Sequence, residues 1–480
     1  MYEPESLGGA GEGIVNLRTL SEPHPRQRLL RSVALGLALV TAPAWADEAS
    51  IADRTVRAHM DFLAGDALHG RGSGSRDEWI AATYLASQMR AYGLEPLGDD
   101  GGFVQTVEIS RTQVVGLPRL QAGKLSFEHG SQMLVLEVNA PQVTASLQKY
   151  QPGMAVRAGA ALLMPAGADP SNASGLDAAA IIVWRESPAL SRLREWLKSR
   201  RLFVGRTRLT ALAPNVAPVP GASVQVLLNA AAYDSIATLP ESSDLSFSAD
   251  TQGVASRTWN AVGRIAGADP MLRDEIILLT AHLDHLGEQG DGADRIYNGA
   301  DDDASGTIAV LTLAEAIAKG ARPNRSIVFA LFGSEEVGSF GARYFLQKPT
   351  VPVDRIIANL EFEMIGRSDQ AVADHTLWLT GWERTNLGPA LASHGARIVA
   401  DPHSQENFFM RSDNITLARR GIVAQTVSSY GLHEQYHQPS DDIAHIDFQH
   451  MTDSIQSMLA PIRWLAGSNF KPEWLPGGRP

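Results

Sequence analysis

The 480-residue chain contains no cysteine. Disulfides and thiolate metal sites are thereby excluded, so any bound metal must rest on His, Asp and Glu. It also lacks clustered positive charge in its body: 41 Lys and Arg against 53 Asp and Glu give a formal net charge of −12. A balance of that sign makes nucleic acid an unexpected partner. The apolar run Val33–Val40 is too short to serve as a stable membrane anchor. No internal repeat or low-complexity tract stands out. What is present is ordinary for a globular protein, with 44% apolar and 20% charged residues. The length allows two or three domains, or one large domain with an insertion.

The stretch "RQRLLRSVALGLALVTAPAWADEAS" carries Arg26, Arg28 and Arg31, then the apolar run, then small residues ending at Ala46. That order is the pattern of a secretory signal peptide, with cleavage expected after Ala46. Residues 1–46 are read as this leader with an over-extended translation start. The mature chain is expected to be exported, periplasmic or secreted.

Beyond the leader the texture changes twice. Residues 47–112 begin with a helical pattern and end in the strand "GFVQTVEIS"; Gly93 is placed to close the helix "RDEWIAATYLASQMRAYGL". Residues 113–248 are rich in Ala, Val and Pro, with short strands and no cluster of metal-type residues, and read as an inserted lid domain. Asn172 would accept a glycan only in a eukaryotic host. Residues 249–470 alternate buried strands and helices, which implies a mostly parallel sheet covered by helices. Residues 471–480 form a Pro- and Gly-rich tail.

Polar residues cluster where the buried strands end: His282, Asp284 and His285; Asp301, Asp302 and Asp303; Glu335 and Glu336; Glu361 and Glu363; and, late in the chain, Tyr436, His437 and Asp441. Adjacent carboxylates repel one another, and the repulsion grows as water is excluded. Open α/β sheets bind ligands outside the carboxyl ends of their strands, so these groups should meet in one crevice. In a chain without cysteine, such a set points to a metal centre.

Four motifs, "AHLDHLG", "NGADDDASG", "GSEEVGSFGARYF" and "YHQPSDD", resemble those of the co-catalytic di-zinc aminopeptidases of clan MH, family 28. The resemblance covers about residues 53–110 and 250–465, and the middle segment is at most loosely similar to a protease-associated domain. It implies a mixed, mostly parallel central sheet flanked by helices, of the zinc-aminopeptidase or phosphorylase/hydrolase kind, with an inserted smaller β-rich or α/β lid. It also implies two zinc ions per chain, ligated by His282, Asp302, Glu336, Glu363 and His437, with Asp302 bridging. Glu335 would be the general base, Asp284 a supporting carboxylate, and Tyr436 a donor to the developing oxyanion. The family usually has Asp where this chain has Glu363, and Glu361 is the rival ligand two residues earlier.

The activity so implied is removal of N-terminal residues from peptides with a free amino group. A related di-zinc carboxypeptidase or amidohydrolase is the alternative. So is a single-zinc glutaminyl cyclase-like acyltransferase, and more remotely a receptor-like binding protein.

Overall fold

The computed structural model describes residues 50–170, 176, 178–187, 194–199, 202, 208–209, 222–289 and 292–480. The expected leader and Asn172 lie outside the described residues. The first elements are helices α1 (Asp53–Leu63) and α2 (Arg76–Ala91). The Ser75 hydroxyl caps α2 by accepting from the Asp77 and Glu78 backbone N–H groups, and both acids sit in the first turn, where the helix dipole favours them. Gly93, at φ +80°, follows the last turn in the left-handed conformation expected at that position.

The chain then enters strand β1 (Val104–Ala122) and builds β2 (Met133–Val138), β3 (Gln142–Lys149), β4 (Ala161–Leu163), β5 (Ile181–Arg185) and β6 (Val224–Leu228). It returns along β7 (Asp244–Ile265), which pairs antiparallel with β1 from Leu245↔Ala122 to Ala261↔Val104. The register shifts between Ser248 and Asp250. Strands β8 (Ile276–His282), β9 (Ser326–Phe332), β10 (Ile356–Phe362), β11 (Leu377–Leu379), β12 (Ile398–Ala400) and β13 (Ala424–Ser428) follow. Helices α3 (Gly306–Lys319), α4 (Phe340–Gln347) and α5 (Phe448–Gly467) lie among and after them.

The central order is β12-β11-β13-β10-β8-β9-β7. The pairs β8/β9, β8/β10 and β10/β13 are parallel, while β7 joins antiparallel. Every residue of β8 and β9 is buried. Their side chains alternate between two interiors. Ile277, Leu279, Ile327 and Phe329 join the core with α1, α2, α3 and α5, whereas Ile276, Leu278, Val328 and Ala330 join the core with α4. A strand covered on both faces must be apolar throughout, and "IILLTA" and "SIVFALF" are nearly so.

Residues between Val114 and Ala249 contribute two further apolar clusters, centred on Leu147, Val183 and Val226 and on Leu162, Ile182 and Trp184. Neither shares a residue with the two clusters around the central sheet. No helix among the described residues is long and apolar enough to cross a membrane.

Candidate metal centre

Parallel pairing puts the carboxyl ends of β8, β9, β10 and β13 along one edge, and each strand hands its next few residues to the same crevice. β8 ends on His282 itself, so Asp284 and His285 lie in the loop beyond it. β9 ends at Phe332, and Glu335 and Glu336 follow Gly333 and Ser334. β10 ends at Phe362, one residue before Glu363. Ser334, Met364 and His437 all take positive φ, at +55°, +52° and +55°. Left-handed backbone at a non-glycine costs about 1–3 kcal/mol and persists where the surroundings over-determine it. Here it flanks or carries the metal-type residues.

The three adjacent aspartates divide their work. Asp301 accepts from the Gly366 N–H at 2.7 Å and meets His433 Nε2 at 2.9 Å. Asp303 accepts from the backbone N–H groups of His282, Gly306 and Met364 at 3.0–3.1 Å, tying the ends of β8 and β10 to the start of α3. Asp441 accepts from the Asp301 and Asp302 N–H groups and contacts the Arg367 guanidinium at 3.4 Å, so the late motif folds back onto the same loop. Asp302 alone is left with both oxygens facing other site side chains. Gly299 lets the loop pass: a Cβ there would come within 2.2 Å of the Asp302 carbonyl oxygen, and its φ is +59°.

Two groups of side chains converge on Asp302. One comprises His282, Asp302 and Glu363, and the other His285, Asp302, Glu336 and His437. All five sequence-expected metal residues are therefore brought together, and Glu361 is in neither group. That side chain turns away, accepting from the Asn414 N–H at 2.5 Å. Asp284 accepts from the Glu335 N–H at 2.9 Å and from the Ser73 hydroxyl at 2.5 Å, so it anchors the Glu335 loop. The Tyr436 ring stacks on His437, with centroids 3.9 Å apart. A small cavity beside Glu363 is walled by Met364, Trp378, Phe408, Tyr430 and Tyr436, with Arg411 at its side.

The donor set fits a bound cation on geometric grounds. His282 Nε2 is buried and makes no hydrogen bond, although Asp302 Oδ1 lies only 3.1 Å away. The two atoms sit side by side rather than aimed at each other. On the other side, His437 Nε2 lies 3.2 Å from both Asp302 Oδ2 and Glu336 Oε2. Neighbouring ligands on a tetrahedral zinc at 2.0–2.1 Å would stand about 3.3 Å apart, which matches all three separations. The His282 ring is oriented from behind by the Asp284 carbonyl oxygen, 3.2 Å from Nδ1.

Electrostatics also ask for positive charge. Burial pushes Glu363 up to about 7, with Asp302 adding to the effect and His282 opposing it. Burial raises Asp303 and Glu335 well above the ordinary carboxylate range, helped by neighbouring carboxylates. Burial should lower His437, yet Asp302 and Glu336 overcome it and push the imidazole up to about 10. Burial and Asp302 push Glu336 upward, but His285 and His437 outweigh them and hold it at about 2. Without a cation, protons must do the neutralising.

Two residues at the site were given no role by sequence reasoning. His285 sits against Glu336, 2.7 Å from Nδ1 to Oε1. Arg71, 1% exposed, donates to the carbonyl oxygens of Leu63, Leu283, Asn298 and Gly299, clamping the loops that bear Asp284 and Asp301–Asp303. "LHGRGSG" held the signal for Arg71, since an arginine among glycines suits a tight loop meeting other backbone. Its partners, being carbonyls, leave no trace in the side-chain pattern.

Comparison with known proteins agrees with this construction. Residues 260–461 match the model of Peptidase family M28. A 110-residue stretch is 31% identical to Leupeptin-inactivating enzyme 1 of Streptomyces exfoliatus, covering 22% of this chain and 23% of that protein. The chain thus spans about a quarter of the length of that curated relative. In fold it resembles the aminopeptidase from Aneurinibacillus sp. strain AM-1, with a TM-score of 0.58, 16% identity and coverage of 88% of this chain and 96% of that one. It equally resembles a zinc aminopeptidase from Bacillus subtilis, with a TM-score of 0.57, 16% identity and coverage of 88% and 97%. The match to peptidase family M28 is thus confined to residues 260–461, the stretch that carries the site's side chains from His282 to His437.

Proposed function

We propose that this chain is a zinc-dependent aminopeptidase that hydrolyses N-terminal residues from peptides. The observation that carries the reading is the pair of side-chain groups sharing Asp302, with the Glu335 loop hung from Asp284 beside them. His282 and Glu363 would hold one zinc, Glu336 and His437 the other, and Asp302 both. Bound zinc supplies Lewis-acid polarisation of a water and a carbonyl.

The protein's own groups do the rest. Glu335 takes a proton from the attacking water and passes it to the leaving amine. Burial and the neighbouring carboxylates raise its carboxyl well above the ordinary range, which favours its taking up a proton. Asp284 keeps the Glu335 backbone in place. Burial and the charges of Asp302 and Glu336 push the Tyr436 phenol up, so it stays protonated and available as a donor to the developing oxyanion. Carboxylates lining the crevice favour the protonated amino terminus of a peptide. The cavity walled by Met364, Trp378, Phe408, Tyr430 and Tyr436 would take an apolar first side chain. Residues 113–248 would act as an inserted lid domain, and residues 1–46 as an export leader that sends the enzyme to the periplasm or outside the cell.

A panel of aminoacyl arylamides, offered to the purified chain before chelation, after it and with zinc restored, tests the reading. Hydrolysis should require the free amine, vanish with chelator and return with zinc. Absence of hydrolysis in a chain holding two zinc ions would reject it in favour of blocked or C-terminal substrates. A chain that takes only one zinc would favour a single-metal acyltransferase.

A further inference from the structure

His285 stands close enough to the second group to count among its donors, and its Nε2, like that of His282, is buried without a hydrogen bond, but the geometry at its Nδ1 differs from theirs. His282 Nε2, His437 Nε2 and the carboxylate oxygens beside them are separated by 3.1–3.2 Å. That is the spacing of side-by-side ligands, about 3.3 Å for zinc bonds of 2.0–2.1 Å. His285 Nδ1 is 2.7 Å from Glu336 Oε1, with the directionality of a hydrogen bond. Two ligands of one zinc would not approach so closely, whereas a charge-assisted N–H···O bond falls in the 2.7–2.9 Å range. Asp302 Oδ2 is 3.9 Å from the same nitrogen, beyond hydrogen-bond reach.

The backbone that carries the ring is also fixed from outside the ligand set. The His285 N–H donates to the Arg71 carbonyl oxygen at 3.1 Å, and its carbonyl accepts from the Ser73 N–H at 3.2 Å. The imidazole packs on Gly299, where a Cβ would approach its Cγ to 2.5 Å. A fixed donor on Oε1 leaves Oε2 of Glu336 to face His437 Nε2 and the shared Asp302.

We propose that His285 is a positioning residue: its Nδ1–H holds Glu336 Oε1, so that Glu336 meets the second zinc through Oε2 alone. The inference rests on the di-zinc reading given above. It divides the four-residue group into Asp302, Glu336 and His437, which would hold the ion, and one buttress that would orient Glu336.

The test is zinc binding to the full chain, read by competition with a chromophoric chelator, which needs no substrate. His285→Phe keeps the ring's bulk against Gly299 and removes the donor. It should weaken one of the two zinc sites by about 10–100-fold and leave the other unchanged. His285→Asn, which can donate but is a poor ligand, should recover part of that loss. His285→Asp, which can ligate but not donate, should recover none. Unchanged affinities in His285→Phe would overturn the proposal. Recovery with Asp and not Asn would overturn it too, by showing His285 to be a ligand, as would a wild-type chain binding fewer than two zinc ions. Thermal melting of the metal-free proteins separates lost folding from lost affinity, and the Asn variant keeps the comparison readable if the Phe variant melts early. A wild-type chain that binds two zinc ions yet cleaves no peptide would defeat the aminopeptidase reading and leave this one standing.

Discussion

The region between Val114 and Ala249 and the region around the central sheet both bury apolar side chains, but among the described residues only the second buries charge. Among the described residues, the first conceals His129 and Gln148 as its larger polar side chains. The second conceals Arg71, Glu78, His282, Asp284, His285, Asp301, Asp302, Asp303, Glu361, Asp413 and Asp441. An ionised group taken out of water costs several kcal/mol unless it is paired or bound to a cation. A fold accumulates such costs where the chemistry requires them. The two regions therefore separate what holds the chain folded from what would make it act.

The sharpest way to break that comparison is at Glu335. Glu335→Gln should lower kcat by about 10²–10⁴-fold with zinc content unchanged, measured by arylamide hydrolysis and metal analysis. A residual rate near wild type would remove Glu335 from the proposed role. Asp302→Asn should next strip both zinc sites together, since both groups share that carboxylate; loss of one site alone would mean that it does not bridge.

In the other region, Leu147→Ala should cost about 2–5 kcal/mol of stability in a denaturant titration, because Leu147 is fully buried in β3. It should leave zinc affinity as it was, and a fall in affinity would show the regions to be coupled. Chelation should do the reverse: by mass action each ion contributes about 4 kcal/mol when present at a thousandfold excess over its Kd, so the melting temperature should fall as zinc is removed. An unchanged melting curve would mean that the buried carboxylates need no cation. Met271, 85% exposed, marks the small end of the scale, and Met271→Ala should change stability by no more than about 0.5 kcal/mol.

How much of this was legible in the sequence depended on pattern strength. The runs in β8 and β9 announced strands buried on both faces, and the acidic and histidine residues after them announced a site. The preference for Glu363 over Glu361 followed the motif; in the folded chain Glu361 accepts from the Asn414 N–H, a contact no sequence pattern announces. The length of β1 and β7 was not legible. Residues 250–257 of β7 include none that is buried, so this stretch of the ribbon has no apolar alternation to read. His285 was visible as a polar residue in "AHLDHLG", but it lies past the end of β8, where strand alternation no longer tells which way a side chain points. Its partner Glu336 lies 51 residues away, a pairing that only the folded chain makes.

The most direct test of the central claim is zinc content against hydrolysis in the purified chain, titrated from the metal-free state. Two ions should bind per chain, with free-amine arylamide hydrolysis appearing as they bind. Hydrolysis that persists in metal-free protein, or a chain that binds no zinc at all, would contradict that claim.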